Sequence, residues 1–295
     1  MIWNTKITKL TKTKYPLVMA AFAGLGKTEF AASFSNAGGL GIITALNYGI
    51  KSFKKELEKM HTLTDKPFGI NLTVVPPGVR FGDANITNDD YLNYLEVAID
   101  QGVSIFTTSA FQATFLGSRI REVGCLWFHK CALMRHAISA EKAGANAITL
   151  IGMEAAGFKN PYQHTTLVNI TMAKNLLTIP VIAAGGIGDA RGFLGALAMG
   201  AEAVCLGTSI LTTLESPVPI ELKESWINTD IFNEYYHKNL YHLTLGPTRV
   251  PSAAIGFQKK IIPLKTFIEM LMNNAEGILR TWGFTKNEFN TINFY

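Results

Sequence analysis

The chain has 295 residues, 48% of them hydrophobic and 17% charged, enough for a single core of the size an α/β barrel needs, typically about 250 residues. Its net charge of +5 comes from 27 basic and 22 acidic residues scattered over helix faces rather than massed in a block, which argues against a nucleic-acid partner. No apolar run approaches the ~20 residues of a membrane-spanning helix, and Cys125, Cys131 and Cys205 lack metal-ligand or disulfide spacing, so a cytoplasmic protein without membrane or metal is expected.

Lys6, Lys9, Lys12 and Lys14 open the chain as an exposed lead-in, with no apolar segment of the signal-peptide kind behind them. Short apolar runs then alternate with segments of helical period. The runs are 15–21, 40–44, 68–73, 104–108, 124–129, 147–150, 180–184 and 203–206, which predicts eight strands. Helices are expected over 27–37, 52–63, 90–101, 132–143, 166–177 and 190–199. Gly38-Gly39, Gly102, Gly144 and Gly200 follow helical segments as C-caps. Eight strands with intervening helices favour a closed (β/α)8 TIM barrel over an open doubly wound sheet.

After the eighth predicted strand the rhythm stops. Residues 214–261 carry prolines, aromatics and charges and are expected to form a small lid over the mouth of a barrel made by residues 1–213. Helical period resumes in 264–282, with Phe267, Leu271, Ala275, Ile278 and Leu279 on one face, so residues 262–295 are read as a helix packing back on the barrel and a loose tail. Tyr235, Tyr236 and Tyr241 are taken as exposed aromatics on which a homodimer could form.

In a barrel, ligands meet the loops after the strands. The seventh predicted strand runs into Gly185-Gly186-Ile187-Gly188-Asp189 just before a helix, and the eighth into Gly207-Thr208. Backbone without side chains lets amides approach a phosphate, and the helix N-terminus adds partial positive charge. The same glycines also permit tight turns, but two adjacent strands with the feature point to a phosphate grip.

The motifs Tyr15-Pro16-Leu17-Val18, Ala23-Gly24, Ser35 through Gly41, Phe68-Gly69-Ile70-Asn71-Leu72, His129-Lys130-Cys131, Arg135-His136-Ala137, Ala143 through Ile148, Gly152-Met153-Glu154-Ala155-Ala156-Gly157, Ile179 through Ile187, Leu206-Gly207-Thr208 and Glu215-Ser216 occur in this order. In order and spacing the chain resembles the nitronate monooxygenase family, formerly 2-nitropropane dioxygenases, which includes FMN-dependent enoyl reductases. The resemblance implies bound FMN, with Ala20, Ala21 and Phe22 against the ring, Asn71 and Lys130 at the isoalloxazine and ribityl side, and Gly157, Gly185, Gly186, Gly207 and Thr208 completing the cofactor site. A lysine there stabilises the anionic reduced ring.

One departure bears on chemistry. The family carries a histidine after the glycine of the loop behind the sixth predicted strand, and here that position is Phe158, which has no titratable group. Phe22, Phe111 and Phe158 together imply an aromatic substrate pocket suited to a flat or apolar small molecule. Lys159, Tyr162 and His164 in the same loop are candidate replacements for the base, and no catalytic acid or base is assigned. Glu154 is expected to shape its loop by accepting backbone N–H groups, and His129 and His136 to be structural. Three readings follow: an FMN oxidoreductase of a small organic substrate with oxygen as acceptor, an NADH- or NADPH-dependent reductase of an enoyl or quinone, and a flavin-binding partner protein without catalysis.

Overall fold

The computed structural model describes residues 1–75, 86–157, 162, 164–241 and 250–291. The chain opens with β1 (Ile2–Asn4) and α1 (Lys6–Thr11). It continues through β2 (Leu17–Met19), α2 (Thr28–Asn36), β3 (Gly41–Thr44), α3 (Ile50–Leu63), β4 (Phe68–Val74), α4 (Asn88–Asp100), β5 (Ile105–Ala110) and α5 (Thr114–Glu122). There follow β6 (Leu126–Cys131), α6 (Met134–Lys142), β7 (Ala147–Ile151), α7 (Thr166–Leu176), β8 (Val181–Ala184), α8 (Ala190–Ala198) and β9 (Ala203–Leu206). After β9 come α9 (Thr208–Leu211), α10 (Ile220–Ile227), α11 (Glu234–Tyr241), a 3-10 turn (Ala253–Phe257), α12 (Leu264–Thr281) and β10 (Glu288–Asn290).

Strands β2 to β9 form one all-parallel sheet in the order β2-β9-β8-β7-β6-β5-β4-β3. Its two ends meet, because Leu40 N donates to Leu17 O at 2.8 Å and Met19 N to Leu40 O at 2.9 Å, closing the sheet into a (β/α)8 barrel. Every residue of β2, β3, β7, β8 and β9 is buried, as expected when a parallel sheet is covered on both faces. Seven helices follow the barrel strands in turn. The eighth place, between α8 and α2, is taken by α12, which buries Leu264, Phe267, Ile268, Leu271, Met272, Ala275 and Leu279. Gly38, Gly102, Gly144 and Gly200 all have positive φ at their helix ends.

Three expectations are corrected. The lysine-rich lead-in is exposed on one side only: Lys9, Lys12 and Lys14 face solvent as expected, while Trp3, Thr5, Ile7, Thr8 and Thr11 are buried and Thr5 and Thr8 form a capping box on α1. In the segment expected to be a loose tail, β10 pairs in parallel with β1, Ile2 opposite Glu288 and Asn4 opposite Asn290, while residues 292–295 lie outside the described residues. Both segments close the end of the barrel away from the strand C-termini, where the Glu202 carboxylate accepts from Lys6 N and Thr291 Oγ1, each at 2.8 Å. Finally, Tyr236 is buried, with its hydroxyl donating to Ser252 O at 2.9 Å, and of the three tyrosines only Tyr235 is fully exposed.

The segment between β9 and α12 does reach the barrel mouth. Ser252 N donates to Thr208 Oγ1 at 3.0 Å, Ala253 N to Glu154 O at 3.3 Å, and Gln258 Nε2 to Gly188 O at 3.1 Å. It is thereby tied to the loops that follow β9, β7 and β8.

Candidate functional site

A cavity of about 340 Å³ opens at the C-terminal ends of the strands. From β2 and the loop after it come Ala20, Ala21, Phe22, Ala23 and Leu25; from β4 and β5 come Thr73, Ser109 and Ala110. Lys130, Cys131 and Ala132 follow on β6, and Ile151, Ala155, Ala156 and Gly157 on β7 and its loop. Ala184, Gly185, Gly186 and Ile187 come from the end of β8 and its loop, Cys205 and Gly207 from the end of β9, Thr208 and Leu211 from α9, and Ser252 and Ala254 close over from the excursion.

The β8–β9 side is made of backbone. Gly185 and Gly186 have φ of 112° and 71°, a region that favours glycine, and a Cβ on Gly186 would lie 2.9 Å from Glu154 Cβ. Among the described residues the N–H groups of Gly186, Gly207 and Thr208 find no protein acceptor. Thr208 Oγ1 already accepts from Ser252 N, so its hydroxyl proton is left to donate. Ser209 Oγ beside it is buried without a partner. The helix after β8 does not take the expected part: its first amides are capped by Asp189, which accepts from Arg191 N at 3.1 Å and Gly192 N at 3.0 Å, so the free donors lie in the two loops instead.

The loop after β7 is fixed from below. The Glu154 carboxylate accepts from Thr166 N at 2.9 Å and Thr166 Oγ1 at 3.0 Å, and Thr166 Oγ1 also lies within reach of Ala184 O and Gly185 O. A Cβ on Gly152 would collide with Thr166 N and Oγ1, so this junction of β7, α7 and β8 closes only around glycine.

The β4–β6 side is made of side chains. Lys130 lines the cavity, and no carboxylate among the described residues pairs with it. Burial pushes the Cys131 thiol up to about 12 and raises that of Cys205, against the opposing charge of Lys130, so both remain protonated near neutrality. At the end of β5, Ala110 has φ of 75°, and Phe111 N reaches back to Ser109 O at 3.2 Å. This left-handed γ-turn on a non-glycine residue stores strain in the cavity wall.

Ala20, Ala21, Phe22, Lys130, Gly157, Gly185, Gly186, Gly207 and Thr208 thus share one cavity. Asn71 does not reach it. It is buried one layer below, where Nδ2 donates to Thr107 Oγ1 at 2.9 Å and Oδ1 accepts from Thr73 Oγ1 at 2.7 Å. Through Thr73 and Ser109, which do line the cavity, it supports the floor. Phe111 is 46% exposed and stands outside the wall, while Phe158 and Lys159 lie outside the described residues. His129 turns away from the barrel interior toward the helix layer, with Nδ1 2.8 Å from Thr108 Oγ1, and burial pushes its pKa down to about 4. His136, Tyr162 and His164 are exposed.

The chain matches the nitronate monooxygenase family over residues 4–232. It is 30% identical over 224 residues to a (3aS,4S,5R,7aS)-5-hydroxy-7a-methyl-1-oxo-octahydro-1H-indene-4-carboxyl-CoA dehydrogenase of Rhodococcus jostii, covering 76% of this chain and 60% of that protein. A probable nitronate monooxygenase of Staphylococcus saprophyticus is 29% identical over 247 residues, 72% of this chain and 69% of the relative. Among solved structures, FabK from Thermotoga maritima superposes with a TM-score of 0.81 at 26% identity, over 95% of this chain and 98% of FabK. A nitroalkane oxidase from Streptomyces ansochromogenes shares the fold, with a TM-score of 0.77 at 22% identity over 93% and 99% of the two chains. With its barrel, its paired glycine loops and a match over most of its length, the chain belongs to the nitronate monooxygenase family.

Proposed function

We propose that the chain is an FMN-dependent oxidoreductase acting on a small organic substrate. The observation that carries this reading is an amide grip at the ends of β8 and β9 sharing one cavity with a lysine on β6, neither of which has a protein partner among the described residues. The donor set fits FMN. The amides of Gly186, Gly207 and Thr208 with the Thr208 hydroxyl suit a phosphate, and a Cβ on Gly207 would meet nothing nearer than Ala20 Cβ at 3.7 Å, so the space beside it is open. Bound there, FMN would supply hydride and single-electron transfer.

The protein's own residues bind, orient and exclude water. The β8 and β9 loops would hold the phosphate, Ala20 to Phe22 wall one side, and the Lys130 ammonium would supply fixed positive charge where the ring gains electrons. Ser252 and Ala254 cover the mouth. Among the described lining residues no histidine or carboxylate is available to take a proton from a substrate. This supports chemistry that needs no such base.

A second reading, an NADH- or NADPH-dependent reductase of an enoyl or quinone substrate, is favoured by the likeness to FabK over nearly the whole of both chains. An anaerobic visible-spectrum titration separates the two. Bleaching of the oxidised flavin by NADH or NADPH establishes the reductase, and bleaching only by an organic donor such as a nitronate establishes the oxidase-like enzyme. A flavin that none of these reduces assigns the protein to a non-catalytic flavin-binding role, and failure to bind FMN overturns the proposal.

A further inference from the structure

One stretch of the cavity wall is a turn, the connection from β2 to α2, whose Phe22, Ala23 and Leu25 line the cavity. Within itself this turn makes two backbone bonds, Gly26 N donating to Phe22 O at 2.9 Å and Lys27 N to Leu25 O at 2.8 Å. At its tip Gly24 has φ of 75°, and a Cβ there would meet nothing within 4 Å, so packing does not fix the tip.

What fixes it comes from the end of β3. Thr44 Oγ1 accepts from Phe22 N at 3.2 Å, and Thr44 N donates to Gly26 O at 3.1 Å. In the 3-10 turn that follows (Ala45–Asn47), the Asn47 amide spans the whole connection. Its Oδ1 accepts from Gly24 N at 2.6 Å, while its Nδ2 donates to Phe22 O at 3.0 Å and to Gly26 O at 3.3 Å. The amide's orientation is set by these partners, because the reverse would face its oxygen with two carbonyls and its NH2 with an N–H. Among the described residues no side chain other than those of Thr44 and Asn47 bonds to residues 22–26. Asn47 is half-buried and does not itself line the cavity.

Phe22 stands between this latch and the cavity. Its carbonyl is held by Asn47, and its ring stacks on that of the buried Phe30, with centroids 6.2 Å apart and planes inclined by 30°. We infer that Asn47 is a positioning residue for the ring site: it latches the 22–26 turn as a rigid wall and so sets how closely Phe22 and Leu25 approach a flat ligand. A wall already held in place loses no further freedom when the ligand binds, whereas an unlatched turn must be ordered at that moment. What the ligand is rests on the flavin reading above; the latch itself does not.

The test compares wild type, Asn47→Ala, Asn47→Asp, Phe22→Ala and the Asn47→Ala/Phe22→Ala double variant by hydrogen exchange, FMN quenching and thermal melting. Asn47→Ala should speed exchange in peptides covering residues 20–27 by about fivefold or more while leaving those of β4 and α4 unchanged. It should also weaken FMN binding about tenfold. Asn47→Asp has nearly the same shape and keeps the acceptor for Gly24 N, but sets an oxygen against Phe22 O and Gly26 O, so it should weaken FMN as much as alanine does. In the Phe22→Ala background Asn47→Ala should cost less than about twofold more, because its effect runs through Phe22. A residue that only stabilised the fold would lower the melting temperature and add its full cost in that background. Unchanged exchange in residues 20–27 of Asn47→Ala, or a full loss of FMN affinity added on top of Phe22→Ala, overturns the inference. A wild type that fails to bind FMN removes the flavin reading, and the exchange comparison still decides whether the latch exists.

Discussion

The two sides of the cavity are built by opposite means. At β8 and β9 the wall is backbone, with donors exposed by glycine and held by the Glu154–Thr166 clasp. At β4 to β6 it is side chain, with Thr73 and Ser109 resting on Asn71, Lys130 without a carboxylate partner among the described residues, and Ala110 strained between them. At Gly152, Gly185 and Gly186 the first arrangement has no room for an added Cβ. The second tolerates exchange but sets charge and polarity, so the first side should govern whether a ligand is held and the second how it reacts.

The sharpest way to break this contrast is Gly152→Ala. The methyl group collides with Thr166 and forces β7, α7 and β8 apart, so a loss of about 3 kcal/mol in stability and at least a hundredfold in FMN affinity is expected from denaturant unfolding and flavin quenching. Wild-type affinity in the variant would refute the claim that the backbone side decides binding.

Next in size is the acid response of β6. The native His129 ring titrates at about 4 because burial disfavours its charged form, whereas the unfolded ring takes a proton below about 6.5. The stability this neutral ring contributes is complete above pH 6.5, is lost as pH falls from there to about 4, and then levels off; the loss is on the order of 3 kcal/mol. Urea midpoints at pH 7 and pH 4.5 should fall further apart in the wild type than in His129→Gln.

Lys130→Met tests the charge of the side-chain wall. It should lower FMN affinity about tenfold and the flavin midpoint potential by about 30 mV, the two-electron equivalent of a tenfold change. A potential that stays put while affinity falls would make Lys130 a binding residue only. The smallest effect is expected from Ala110→Gly, which relieves the left-handed turn and should stabilise the fold by about 1 kcal/mol, or about 2 °C in melting temperature. A lower melting temperature would show that the alanine methyl contributes more than the turn costs.

The same contrast explains what could be read from the sequence. The eight barrel strands announced themselves because a parallel strand covered on both faces is a short unbroken apolar run, and the β8 and β9 loops because glycine has few other reasons to cluster at a strand end. Ala110 left no such sign, since nothing in an alanine codes for a positive φ. Asn71 was displaced by one layer: its side chain faces the barrel interior as expected, but depth along a strand depends on tilt and stagger that composition does not record. Ser252 and Ala254 come from a segment without periodicity, and only their bonds to the β7 and β9 loops bring them to the mouth. The pairing of lead-in and tail could not be read because two three-residue strands are too short to show alternation, and each needs a partner from the far end of the chain.

That last pair has a mechanical consequence. β1 and β10 run parallel, in register from Ile2 and Glu288 to Asn4 and Asn290, with Asn4 Nδ2 donating to the Glu288 carboxylate at 2.8 Å. A force applied to the chain before β1 and after β10 pulls these strands in opposite directions along their length. The hydrogen bonds between them are then loaded together, in shear, instead of opening one after another, so a three-residue ribbon at the base of the barrel serves as the clamp that tension must break first.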